Sequence, residues 1–155
     1  MAAAKISYGE ATSLQEQLVA EDMTTYGPEL AHIYHAVSHL LHLNNEHDAS
    51  ISKSKSSVDI HKKLLLENPT SIKIRSDLAG SYNMLAVSQR VNVPKDAIAS
   101  GERCVELLTA LLDENPELIE HQGCLASISS AERASIRWAE PFRTLAFFGV
   151  RSSVN

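Results

Sequence analysis

Four histidines, His32, His35, His39 and His42, recur at spacings of three, four and three residues. On a helix those spacings hold all four imidazoles within about 80° of one another, at about 100° per residue. Imidazoles so grouped can chelate a divalent cation, change charge between roughly pH 5 and 8, or contact a partner by hydrogen bonding and stacking. No Asp, Glu or Cys stands among them between Leu30 and Leu43. There is no HExxH pattern, and a structural zinc site takes about four ligands. The stripe is therefore expected to be a partner-contact surface without a cofactor. A small metal- or pH-responsive sensor is the alternative.

The other residues capable of chemistry do not assemble into a catalytic set. Ser50-Ile51-Ser52-Lys53 spells Ser-x-x-Lys, but the companion motifs of that enzyme class are missing and the segment has a helical pattern. Cys104 and Cys124 lack a His or Asp arrangement for nucleophilic catalysis and read as reduced core thiols. The run Ser52-Lys53-Ser54-Lys55-Ser56-Ser57 reads as small and charged residues on a solvated helix face, open to phosphorylation. The expectation is a protein that is not an enzyme.

The elements that position these residues come from an internal repeat. Val58-Asp59-Ile60-His61-Lys62-Lys63-Leu64-Leu65-Leu66-Glu67-Asn68-Pro69 returns, 47 residues on, as Val105-Glu106-Leu107-Leu108-Thr109-Ala110-Leu111-Leu112-Asp113-Glu114-Asn115-Pro116. Upstream, Leu30, Ala31, Tyr34, Asp48 and Ala49 match Leu78, Ala79, Tyr82, Asp96 and Ala97 at a shift of 48, which puts a one-residue insertion inside the second helix of the earlier copy. Weaker echoes occur at both ends, at Leu14, Leu18 and Val19 and at Leu125-Ala126.

Within a copy, Ile98, Gly101, Cys104, Val105, Leu108, Leu111 and Leu112 fall on one helical arc, and Leu78, Tyr82 and Leu85 form the same kind of stripe. Asn92 and Pro94 separate the two helices, and Asn68-Pro69 and Asn115-Pro116 stop each pair, because the residue before proline is pushed out of helical geometry. The fold class is all-α, with about five to six helices in antiparallel hairpins.

Composition agrees. Apolar residues are 44%, charged residues 21% and aromatics 5% of the 155 residues, which suits one helical domain with a Leu, Ala and Val core. A formal charge of −5 is the wrong sign for a protein that neutralises phosphates, so nucleic acid is not an expected partner. The start, Met1-Ala2-Ala3-Ala4-Lys5, has neither flank nor core of a secretory signal, and no stretch approaches the roughly 18 apolar residues of a membrane span. A cytoplasmic protein with no membrane partner is expected.

The spacing of Tyr82, Leu85-Ala86, Ala97, Cys104 and Pro116, and of Tyr34, Val37-Ser38, Ala49 and Pro69, resembles a lengthened tetratricopeptide (TPR) repeat. The wording of LQEQLVAED, DLAGSYNMLA and ELLTALLDENP is similar to repeat arrays of bacterial serine/threonine protein kinases, without any kinase signature. The chain is thus either a free-standing repeat protein or a piece of a longer regulator. The resemblance implies a right-handed α-solenoid whose first helices line a concave groove for a peptide or helix. It places His32, His35, His39 and His42, then Gly80, Asn83, Val87 and Arg90, along that groove, with Asn83, Val87 and Arg90 joining the histidines as partner-binding residues. A carboxylate clamp is not expected, since only Asn83 and Arg90 are of the type it uses.

One TPR-like domain is expected over 1–140: a half repeat at 6–22, repeats at 23–69 and 70–116, and a capping helix at 117–140 where Ser129 and Glu132 replace Tyr82 and Leu85. The aromatic tail 141–155 follows. Incomplete ends leave a homodimer open.

Overall fold

The computed structural model describes residues 2–116, with side chains from residue 12 onward. The expected capping helix at 117–140, the tail at 141–155 and Cys124 lie outside the described residues. Within them the chain is all-helical: α1 (Ala2–Glu21), α2 (Met23–Leu43), α3 (His47–Glu67), α4 (Ile72–Gln89) and α5 (Pro94–Glu114).

Local chemistry sets each boundary. Asp22 alone separates α1 from α2. Its backbone is extended (φ −149°, ψ 100°), and its carboxylate accepts the Thr25 N–H at 3.1 Å as an N-cap. At the end of α2, Asn45 takes a left-handed φ of 61°, which Asn tolerates better than most residues. There the Asn45 and Glu46 N–H groups close onto the His42 and Leu41 carbonyls at 3.0 and 2.9 Å. Ser71 caps α4 by accepting the Ile74 N–H at 3.3 Å. Pro94 opens α5 at a position whose N–H would have no helical partner.

Successive helices run antiparallel and pack in chain order, and α2 also touches α4. The contacts give the direction: Tyr34 Oη donates to Glu16 Oε1 at 2.5 Å between α2 and α1, and Ser57 Oγ donates to the Ala31 carbonyl at 2.9 Å between α3 and α2. At one end of the α4/α5 pair Gln89 meets Ser100, and at the other Arg75 makes a bidentate pair with Glu114. Glu67, one repeat before Glu114, makes the matching tie back to Thr24 at 2.7 Å.

The core follows the repeat. Leu30 and Leu78 are each 3% exposed, and Ala31 and Ala79 are fully buried, the small residues letting helices approach closely. One cluster joins Leu30, Ala31 and Tyr34 to Ile60 and Leu64; another joins Ala79 to Cys104, Leu108 and Leu111. Three expectations need correction. Ile98, placed on the core arc, is 37% exposed, and Ser100 is buried instead. The one-residue offset does not lie inside α3, because α3 and α5 both span 21 residues in register at a shift of 47. In that register buried Ser50 stands at buried Ala97, whereas Ala49, the residue matched to Ala97 in the sequence, is exposed. The offset therefore falls between Leu41 and Ser50, where a connection can absorb a residue without rotating a packed helix.

Candidate functional site

The histidine stripe runs along one side of α2, flanking its buried residues Leu30, Ala31, Tyr34, Ser38 and Leu41. His32 and His39 are exposed; His35 and His42 are half-buried. The stripe faces α4. At one end His32 Nε2 lies 3.9 Å from Asp77 Oδ2, and Asp77 also accepts from Lys73 Nζ at 2.7 Å. At the other, the positive charge of Arg90, just past α4, reaches His42. Asn83 on α4 and Arg90 just past it are exposed, Val87 and Gly80 are half-buried, and a Cβ added at Gly80 would meet nothing within 4 Å among the described residues. The proposed contact residues are thus solvent-accessible in whole or in part.

The imidazoles also act on each other. Burial, then the charges of His32 and His39, hold His35 below its usual pKa. Burial does the same for His42, followed by His47, Arg90 and His39. His47 opens α3 and meets the His42 ring edge-on with centroids 5.5 Å apart. Among the described residues, no group of three or more His, Cys, Asp or Glu side chains is arranged to hold a metal ion.

Sequence reasoning missed the interior behind this face. Ser38 of α2, Ser50 and Ser54 of α3 and Ser88 of α4 are all 0–1% exposed and share one hydroxyl network. Ser38 Oγ lies 2.9 Å from the Ser50 carbonyl, Ser50 Oγ 2.8 Å from the Ser38 carbonyl and Ser88 Oγ 2.9 Å from the Met84 carbonyl, so each hydroxyl's one proton has a carbonyl or a neighbouring hydroxyl to go to. Hydroxyl–hydroxyl contacts of 2.5 Å (Ser38–Ser54) and 2.7 Å (Ser50–Ser88) close the set. One turn further, Ser57 meets Ser81 at 2.9 Å, and Ser81 meets His61 Nδ1 at 2.9 Å.

This corrects the reading of the serine-lysine run as a solvated face. Ser54 and Ser57 point into the core, Ser52 and Lys55 point outward, and Lys53 lies over the Tyr34 ring at 4.4 Å. Ser50 of the Ser-x-x-Lys pattern is bonded into the serine network.

His61 is the least expected member of the interior. It is 2% exposed, its Nε2 has no hydrogen-bond partner among the described residues, and its ring meets His32 edge-on at 6.0 Å. Burial lowers its pKa to about 4, the nearby Asp77 pulling the other way and His32, Lys73 and His35 adding to the drop. The signal that could have found these residues was the repeat: at a shift of 47, Ser50, Ser54, Ser57 and His61 stand where Ala97, Gly101, Cys104 and Leu108 stand, and all eight are buried.

No family model, curated protein or solved structure matches the chain. Among the described residues, no helix is long and apolar enough to cross a membrane.

Proposed function

We infer that this chain is a non-catalytic interaction scaffold that binds a peptide or helix of a partner protein across α2 and α4. In this reading the antiparallel pairs α2/α3 and α4/α5 are TPR-like hairpins of a right-handed solenoid, and α2 and α4 are the first helices that line its groove. The observation that carries it is the alignment of two polar faces, the α2 histidines meeting Asp77 near one end of α4 and Arg90 at the other. His32, His35, His39, His42, Asn83, Val87 and Arg90 are the contact residues. A scaffold already folded loses little entropy on binding, so a modest polar face can support specific recognition.

Peptides selected from a displayed library on the wild-type chain supply the test. Replacing His32, His39, Asn83 and Arg90 together by alanine weakens their binding by at least about tenfold, the loss of one or two contact residues' worth of free energy. Replacing exposed Lys63 and Glu106 on α3 and α5 leaves it unchanged. Equal binding by the groove variant would remove the assignment.

The alternative, an acid-responsive sensor, draws on one observation, the buried His61 beside the histidine stripe. It requires peptide binding by the folded wild type to change as the pH falls toward about 4, where His61 takes up its proton, and not in His61→Leu. Loss of binding on chelation alone would instead favour the metal-responsive form.

A further inference from the structure

Behind the histidine stripe sits a nitrogen that the fold leaves unmatched. His61 of α3 is 2% exposed and its Nδ1 lies 2.9 Å from Ser81 Oγ of α4, whereas its Nε2, also buried, has no hydrogen-bond partner among the described residues. The hydroxyls around it select its tautomer. Ser57 Oγ lies 2.9 Å from the Ala31 carbonyl, and Ser81 Oγ lies 2.9 Å from Ser57 Oγ and 3.1 Å from the Asp77 carbonyl. With the Ser57 proton on the Ala31 carbonyl, the one proton of Ser81 goes to Ser57 or to the Asp77 carbonyl, and its oxygen accepts from His61 Nδ1–H. Nε2 is then a bare lone pair. With the Ser57 proton so placed, the opposite tautomer would leave the Ser57–Ser81 contact without a proton and bury an unpaired Nε2–H. A buried acceptor without a donor is costly, so a donor that reaches Nε2 recovers that cost.

The groups beside Nε2 are acceptors too. The His32 ring of α2 meets the His61 ring edge-on with centroids 6.0 Å apart, and His32 Nε2 lies 3.9 Å from Asp77 Oδ2. Asp77 Oδ2 already takes an ammonium, that of Lys73 at 2.7 Å, in an exposed i,i+4 pair of the weak, screened kind. A carboxylate has about four lone-pair sites, so one such bond leaves it able to accept more. Among the described residues these groups are not arranged to hold a metal ion, whose bonds to nitrogen and oxygen are about 2.0–2.2 Å long. Hydrogen bonds of about 2.9 Å span a wider set. A primary ammonium has three N–H donors and no acceptor, the complement of one carboxylate and two unprotonated imidazole nitrogens. The chain carries a formal charge of −5, and Arg90 stands at the far end of the same face, so a cationic group is drawn to the Asp77 end.

We propose that Asp77, His61 Nε2 and His32 form an acceptor site for a lysine ammonium of the bound peptide. The site rests on the reading of α2 and α4 as the binding face. The exposed His32 ring turns off the edge of His61 as the ammonium enters, and the two imidazole nitrogens and the Asp77 carboxylate each take one N–H. Lys73 is the internal competitor for Asp77.

The test uses peptides selected from a displayed library on the full chain, keeping those whose binding the combined His32, His39, Asn83 and Arg90 alanine variant weakens. These peptides carry a lysine whose replacement by glutamine weakens binding to the wild type by at least about tenfold and to Asp77→Asn by less than about twofold. Lys73→Ala, which removes the competitor, tightens binding of the lysine peptide and leaves that of the glutamine peptide unchanged; a purely structural role for Asp77 would move both peptides together. His61→Leu narrows the preference for lysine over glutamine, and an undiminished preference in that variant would overturn the site. Peptides that need the α2 and α4 residues but tolerate glutamine overturn it as well, and leave the scaffold reading intact. Peptides that bind the alanine variant as tightly as the wild type remove the scaffold reading and this site with it.

Discussion

Ser38 occupies a fully buried position where its hydroxyl is within hydrogen-bonding reach of three other serines and one carbonyl. A buried hydroxyl is costly chiefly when its partners are left unmatched. Ser38→Ala is therefore expected to lower unfolding free energy by about 1–2 kcal/mol, measured by urea denaturation. Replacing Ser38, Ser50, Ser54 and Ser88 together by alanine should cost much less than the sum of the four single changes, because no orphaned hydroxyl remains. Additive losses would contradict the description of these side chains as one network.

His61 yields a prediction with a definite sign. Unfolded, it takes up a proton near pH 6.5; folded, burial delays that to about pH 4. Its contribution to stability is complete above about pH 6.5 and is lost as the pH falls toward 4, up to about 3 kcal/mol in all. His35 and His42, also shifted down, act in the same direction. His61→Leu, which installs the residue found at the equivalent Leu108, should flatten the fall in stability between pH 7 and 4.5. An unchanged slope would mean that His61 is not buried as described.

At the scale of elements, Gly80 shows how little α4 depends on helix propensity at one position. Gly80 lies inside α4 with open space where a Cβ would stand, so Gly80→Ala should raise stability by up to about 1 kcal/mol, read as a higher thermal midpoint. A lowered midpoint would show that something packs there. The helices themselves were legible in the sequence, since Asn-Pro stops and the 3.6-residue stripes around Leu78 and Leu108 are strong signals. The polar interior was not. Ser54 between Lys53 and Lys55 looks like surface from local composition, and only its register with Gly101 shows it to be core. The histidine stripe of α2 was legible from its spacing, whereas His61 was hidden because its burial depends on α2 and α4, which lie far from it in sequence.

At the scale of the molecule, the two helix pairs share a core pattern but fill it differently. The α2/α3/α4 junction is bridged by serines and a histidine, and the α4/α5 junction by Ala79, Cys104, Leu108 and Leu111. Directional hydroxyl contacts among three helices fix how α2 sits against α4, and that relation sets the spacing between His32 and Asp77 and between His42 and Arg90. The packing behind the face thus defines the proposed binding surface.

The most direct test is amide chemical-shift mapping of the chain with a peptide selected to bind it. The account predicts that the largest changes fall on α2 and α4, around His32, His35, His39, Asn83 and Val87, with α3 and the outer side of α5 little affected. Changes concentrated on α3 or α5, with α2 and α4 silent, would contradict it.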